Sequence, residues 1–232
     1  MRLGLRMVIS VLRQGWTPLV LTAIVAVGSI CMLGCIPVPS LGSSYSEIVP
    51  GTVPVDTFLI DDTYKAVKIG GVTWMAENLN IENGNFWCLN DEEAACAMLG
   101  RLYDWNTAMN ICPPGWHLPS RQEWVDLEAM AGGDKVAGKR LRSKQFGGTD
   151  DYGFGARPAG VRTYIEGSVR YIGCIDKTML DCDHGWWTSS VCDRNEECSD
   201  MVYMAWLGQK ESNINFTSAK RTGLSVRCIL NE

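Results

Sequence analysis

The side chains of this 232-residue chain that could do chemistry are ten cysteines, two histidines, nine tryptophans and a late cluster of acids. Cys31 and Cys35 fall in an apolar N-terminal segment. The other eight are Cys88, Cys96, Cys112, Cys174, Cys182, Cys192, Cys198 and Cys228. None of them forms C-x-x-C, which leaves out thioredoxin-type exchange and zinc-ribbon ligation. An even number in an exported chain predicts disulfides. Cys88/Cys96, Cys174/Cys182 and Cys192/Cys198 are close enough to staple local loops, and Cys112 and Cys228 are left to pair at long range. A nested arrangement, Cys174–Cys198 around Cys182–Cys192, fits the spacing as well.

His117 lies in "CPPGWHLPSRQEW", residues 112–124. A general base there would need an acid or a nucleophile within reach, which spacing does not supply. The ordinary expectation is a loop histidine bonded to backbone. Trp74, Trp105, Trp116 and Trp124 fall in regular segments and are expected in the core. Trp186 and Trp187 are neighbours on a predicted strand, where side chains alternate between faces. One ring is therefore expected to be buried and the other exposed, available to stack on a sugar. Asp181, Asp183 and Asp193 flank these tryptophans, and with Glu196, Glu197 and Asp200 they offer hard oxygens that could hold calcium. The plain alternative is a solvated acidic loop.

The elements that position these residues begin with an address. Residues 1–34 carry three arginines and no acid, then an apolar run from Leu19 to Gly34. Sixteen residues suit a signal h-region better than a membrane span, which needs about 20. The run ends in "MLGC", so cleavage before Cys35 and lipid attachment to its sulfur are expected. Residues 35–56 have the Pro/Gly/Ser punctuation of a tether. The net charge is −5, and without the three arginines of residues 1–34 it is −8. That balance repels phosphate backbones and excludes nucleic acid as the expected partner.

Residues 57–232 read as one domain. Tyr64, Val67 and Ile69 mark a strand, Gly70-Gly71 a turn, and Val72-Thr73-Trp74 a returning strand. In "GRLYDWNTAMN", residues 100–110, Leu102, Trp105, Ala108 and Met109 share a helical face. Pro113 and Pro114 end that helix. Ser120 and Glu123 form a capping box. The helix that follows should turn Trp124, Leu127 and either Met130 or Ala131 to the core and stop at Gly132-Gly133. After Gly147 come short extended runs, "AGVRTYIEG", "VRYIG", "GWWTSS", "VYMAWLG" and "SVRCIL". Two helices followed by a loop-rich strand region is an α+β pattern.

Six ordered motifs resemble one family: "VKIGGVTWMAENLN", "GRLYDWNTAMN", "CPPGWHLPSRQEW", "FGARPAGVR", "GWWTSS" and "TGLSVRCI". Together they are similar to the Fibrobacter succinogenes major paralogous domain, over about residues 57–232. The resemblance implies an exported domain, often a lipoprotein, with a C-type-lectin-like fold and no general activity. It places the family's first cysteine pair on Cys88 and Cys96, and its CPxGW and SVRC cysteines on Cys112 and Cys228. Cys174, Cys182, Cys192 and Cys198 depart from the family pattern. The Glu-Pro-Asn, Gln-Pro-Asp and Trp-Asn-Asp signatures of calcium-dependent lectins are missing. Formylglycine-type oxidation needs free copper-binding cysteines, and here each has a structural partner to hand.

These readings lead to a non-enzymatic surface module, lipid-anchored at the outer membrane or cell surface, that binds a glycan or a protein or serves as a structural envelope component. The site is expected on the stapled loops between Gly173 and Asp200. The rival is an envelope enzyme acting on polysaccharide or protein, which would need two carboxylates across a pocket.

Overall fold

The structure, a computed structural model, describes residues 57–60, 64–172, 185–194, 198, 200–208 and 212–232. The signal segment, Cys35 and the tether lie outside these residues, as do Cys174, Asp181, Cys182, Asp183, His184, Glu196 and Glu197. Along the chain come β1 (Thr57–Ile60), β2 (Tyr64–Ile69), β3 (Val72–Met75), β4 (Phe86–Trp87), α1 (Glu93–Leu99), β5 (Leu102–Tyr103), α2 (Trp105–Ala108), β6 (Trp116–His117), α3 (Arg121–Met130) and α4 (Ala137–Leu141). The described remainder is β7 (Val161–Ile165), β8 (Ser168–Ile172), β9 (Gly185–Val191), β10 (Met201–Leu207), β11 (Ser212–Ala219) and β12 (Ile229–Leu230). No helix among the described residues is long and apolar enough to cross a membrane.

One antiparallel sheet has the order β1-β2-β3-β12-β6, a second β11-β10-β9, and two hairpin-like pairs are β4-β5 and β7-β8. The β2–β3 hairpin turns at Gly70-Gly71, with Ile69 opposite Val72. Two large apolar clusters fill most of the interior, with a smaller third around Leu89, Leu99, Leu102, Phe146 and Ala159, and successive strand residues alternate between the two large ones. Val67, Trp74, Trp186, Ala205 and Ile229 enter the first; Ala66, Met75, Trp187, Met204 and Cys228 enter the second. This is the period-2 geometry of a strand whose two faces are both covered.

Helix α3 covers the first cluster. Ser120 Oγ accepts from the Glu123 amide at 3.3 Å, and Glu123 Oε2 accepts from the Ser120 amide at 2.6 Å. Trp124 and Leu127 point inward, and Trp124 packs its ring 4.9 Å from Trp74 and 5.8 Å from Trp186. Burying such a ring stabilises by about 1.5–3 kcal/mol. Ala131 completes the buried stripe, whereas Met130 is 53% exposed.

The chain from Gly223 to Leu230 ties the sheets together. Gly223 exchanges two backbone bonds with Arg162, and Leu224 two with Tyr103. The Trp187 amide donates to Ser225 O, Leu79 N donates to Val226 O, and Ile229 lies opposite both Trp74 and His117. Cys228 is bonded to Cys112, across a sequence separation of 116. Cys88–Cys96 and Cys192–Cys198 are the other disulfides among the described residues. The Cys192–Cys198 bond rules out the nested alternative.

Two expectations change. The helix predicted across residues 102–109 is split: Leu102 and Tyr103 form β5, and α2 begins only after Asp104, whose Oδ1 accepts from the Thr107 amide at 2.8 Å. Strand pairing of Tyr103 with Leu224 outcompetes the local helical period, and Met109 is left exposed. Helices α1 and α4 and strand β11 were not signalled by periodicity. Helix α1 is seven residues long and alanine-rich, and the Cys88–Cys96 bond clamps it.

Tyr103 is fully buried, and its hydroxyl accepts from Ile81 N at 2.8 Å and donates to Ile81 O at 2.9 Å. Burial raises its pKa above the ordinary value, outweighing the Ile81 bond. Tyr103→Phe should cost about 1–2 kcal/mol by leaving the Ile81 groups unpaired. The pH dependence has a definite sign. The folded pKa is raised, so this stability is complete below about pH 10, the unfolded value, and is lost as pH rises beyond it. Urea melts from pH 7 to 11 should show a shallower alkaline decline in Tyr103→Phe than in the wild type. Equal slopes would show that Tyr103 is not the group responsible.

Candidate functional site

A cavity of about 580 Å³ opens between the β4–β5 pair and the β7–β8 hairpin. That volume is in the range of small-molecule sites. Asn85, Trp87 and Asp104 line one side; Arg162, Tyr164, Glu166 and Gly167 line the other; Arg221 borders it from the turn after β11. The hairpin is closed by Glu166 and Gly167 at φ 50° and 75°, the two left-handed positions of a tight two-residue turn. Gly223 brings the two sides together. A Cβ there would lie 3.0 Å from the Arg162 Cβ and 3.1 Å from Trp87 Cε3. Only a residue without a side chain lets the seam pass so close to both.

Arg162 is the centre of the site. Its guanidinium carbon lies 4.0 Å from the Trp87 ring centroid and 5.2 Å from that of Tyr164, and Arg221 lies 6.0 Å from the Tyr164 ring. Cations and rings thus alternate along the wall, an electrostatically favourable stack. Both Arg162 Nη atoms donate to the Tyr164 hydroxyl at 3.4 Å. Burial works to lower the pKa of Arg162, but hydrogen bonding to Tyr164 and Tyr171 outweighs it, and the guanidinium is held above its ordinary value. Tyr171, which donates to Asp91 at 2.5 Å, is pushed up to about 12 by burial and that bond. On the opposite wall Asp104 is already engaged: Oδ1 takes the Thr107 amide and Oδ2 takes Asn85 Nδ2 at 2.7 Å.

Of the residues predicted to bind ligand, Asp181 and Asp183 lie outside the described residues, and Trp186, Trp187 and Asp193 do not line the cavity. Trp186 and Trp187 are both 0% exposed, which corrects the expectation of one open ring. Strand β9 has a core cluster on each face, so alternation sends one indole into each. Trp186 Nε1 donates to Asn78 Oδ1 at 3.0 Å, and Trp187 Nε1 to Tyr103 O at 2.7 Å. Asp193 accepts from the Tyr203 hydroxyl at 2.8 Å, which lowers its pKa, and is not brought to the cavity. His117 is held by side chains rather than backbone. Nδ1 meets Asn231 Oδ1 at 2.6 Å and Nε2 meets Glu123 Oε1 at 3.1 Å, so it fastens the C-terminus to the cap of α3. Cys88, Glu93 and Cys96 gather within 4.8 Å, but both sulfurs are spent in a disulfide and are not thiolate ligands.

Residues 67–230 match the family model of the Fibrobacter succinogenes major domain. The chain belongs to this family. No curated protein and no solved structure matches it. Every lining residue of the cavity falls inside the major-domain span, as do all three described disulfides. Sequence reading passed over the cavity because its parts come from four distant segments of the major domain. The nearest local signal is "GVRTYIEG", where Arg162 and Tyr164 fall on one face of a strand that ends in a turn.

Proposed function

We propose that this protein is a glycan-binding module of the bacterial cell envelope, anchored by a lipid on Cys35, and that the Trp87–Arg162–Tyr164–Arg221 cavity is its binding site. The cavity carries the reading: a preformed pocket of aromatic rings, planar donors and acceptors on a disulfide-braced scaffold. Such groups match the apolar faces and hydroxyl edges of sugars, and a rigid site binds at low entropic cost. Anchoring is supported by Gly34-Cys35 at the end of the apolar run, and reach from the membrane by the tether of residues 35–56. We read the fold as C-type-lectin-like. In support, β12 returns to pair with β3, the Cys112–Cys228 bond fastens that return, and a strand- and loop-rich region lies between β6 and β12.

The enzymatic alternative draws on Asp104 and Glu166, two carboxylates lining one cavity. Both Asp104 oxygens are already engaged, Oδ1 by the Thr107 amide and Oδ2 by Asn85 Nδ2. The deciding experiment screens the full-length, detergent-solubilised, oxidised protein against glycan and cell-wall arrays beside a hydrolysis assay. Saturable binding without turnover, lost in Trp87→Ala, is expected. Turnover abolished by Glu166→Gln would select the enzyme. In cells expressing Cys35→Ser the protein should leave the membrane fraction, and retention would refute the anchor.

A further inference from the structure

We propose that the cavity selects acidic sugars, taking the carboxylate of a uronic-acid residue on Arg162 and Arg221 and its hydroxyls on Asn85, Asp104 and Glu166. This inference rests on the glycan-binding reading and specifies its ligand class.

It starts from an imbalance among buried charges. Among the described residues four arginines are buried: Arg101, Arg142, Arg162 and Arg227. Arg101 is ion-paired with Glu82 and with Glu93. Arg227 donates to Asn78 Oδ1 and to the carbonyls of Met75, Phe154 and Gly155. Arg142 donates to Leu207 O at 3.1 Å. Arg162 is 8% exposed, and no carboxylate among the described residues forms an ion pair with it. Its side-chain bonds go to phenols, the two 3.4 Å contacts to Tyr164 at the limit of a hydrogen bond and one to Tyr171, and its Nε has no partner among the described residues. A buried cation without an anion is costly. This one lines a cavity, where a ligand can supply what the protein does not. Stacked on Trp87, a guanidinium keeps its N–H edge for a planar acceptor, the geometry that suits a carboxylate.

The other lining groups restrict which anion fits. Asp104 and Glu166 line the same space, so a dianion such as a phosphate monoester meets more repulsion than a monoanion, and a tetrahedral sulfate ester matches a planar guanidinium edge less well than a carboxylate does. A single carboxylate meets the least mismatch, and its neighbouring hydroxyls give the two acids donors to accept from. Carboxylates have about four acceptor sites each, so Asp104 can take a hydroxyl beside its two present donors. A protein of net charge −5 has no general attraction for polyanions, so the selectivity must be local. One carboxylate per hydroxyl-bearing ring describes a uronate within a polysaccharide.

The test titrates the full-length protein in detergent with oligomers of galacturonate, glucuronate and mannuronate, each beside its methyl ester, and with neutral and sulfated oligosaccharides. Esterification removes the charge and keeps every hydroxyl. At least one uronate should bind about tenfold or more tightly than its ester, the scale of a charge-assisted bond. Arg221→Gln, at an exposed position that should fold normally, should weaken binding of the acid far more than binding of the ester, and so remove most of that preference. Arg162→Lys should weaken the acid further, with thermal melts confirming a folded chain. Equal binding of acid and ester, or tighter binding of sulfated oligomers, would overturn the inference and leave the glycan reading standing. Binding of no saccharide at all would overturn both.

Discussion

Replacing Cys112 and Cys228 together by alanine should lower the unfolding free energy by about 5 kcal/mol, the loop-closure entropy of a cross-link spanning about 117 residues. Removing the Cys88–Cys96 bond, across a separation of 8, should cost roughly 2.6 kcal/mol on the same footing. The long bond has a second role. It fastens the seam from Gly223 to Leu230, through which β3, β5, β6, β7 and β9 are all tied. Typical domains are stable by about 5–15 kcal/mol, so the double variant should stand near the threshold of folding. Urea denaturation of both oxidised proteins provides the measurement. A change under about 1 kcal/mol would mean that the denatured chain is already compact and gains little freedom when the cross-link is lost.

Arg227→Met should be nearly as damaging, by about 3–5 kcal/mol. Its guanidinium is fully buried, 4.2 Å from the Phe154 ring centroid, and burial pushes its pKa down to about 9, which leaves it charged at neutral pH. Its counter-charge is a cage of oxygens: Met75 O, Phe154 O, Gly155 O and Asn78 Oδ1. Methionine fills much of the space but donates nothing, so the Phe154 and Gly155 carbonyls lose their bond. The loop after α4 then loses its tie to the seam. Arg227→Lys keeps the charge and reaches fewer acceptors, so its loss should be intermediate. Thermal and urea unfolding of both variants would test this order. A lysine variant as stable as the wild type would show that the charge, not the oxygen cage, governs the site, and a methionine variant as stable as the lysine one would show that the charge adds nothing.

Local signals in the sequence were enough for several features. The Ser120–Glu123 box and the Trp124/Leu127 spacing determined α3, because a helix start and its buried stripe are set by residues within two turns of each other, while the choice of Ala131 over Met130 fell to the packing. Gly70-Gly71 between alternating apolar residues determined the β2–β3 hairpin. Spacing paired Cys88 with Cys96 and left Cys112 for Cys228, since short loops close readily and the remaining two had only each other. The ordered motifs determined the family. Other features depend on what covers a residue from far along the chain. Residues 102–109 carry a helical period, yet Tyr103 is drawn into strand pairing by Leu224, 121 positions later. A strand's alternation assigns Trp186 and Trp187 to opposite faces, and only the two clusters packed on those faces bury both. The cavity itself is assembled from the segments around Trp87, Asp104, Arg162 and Arg221. No single segment marks it, because a buried arginine without an acid becomes visible only once the fold has shown which acids came near and which did not.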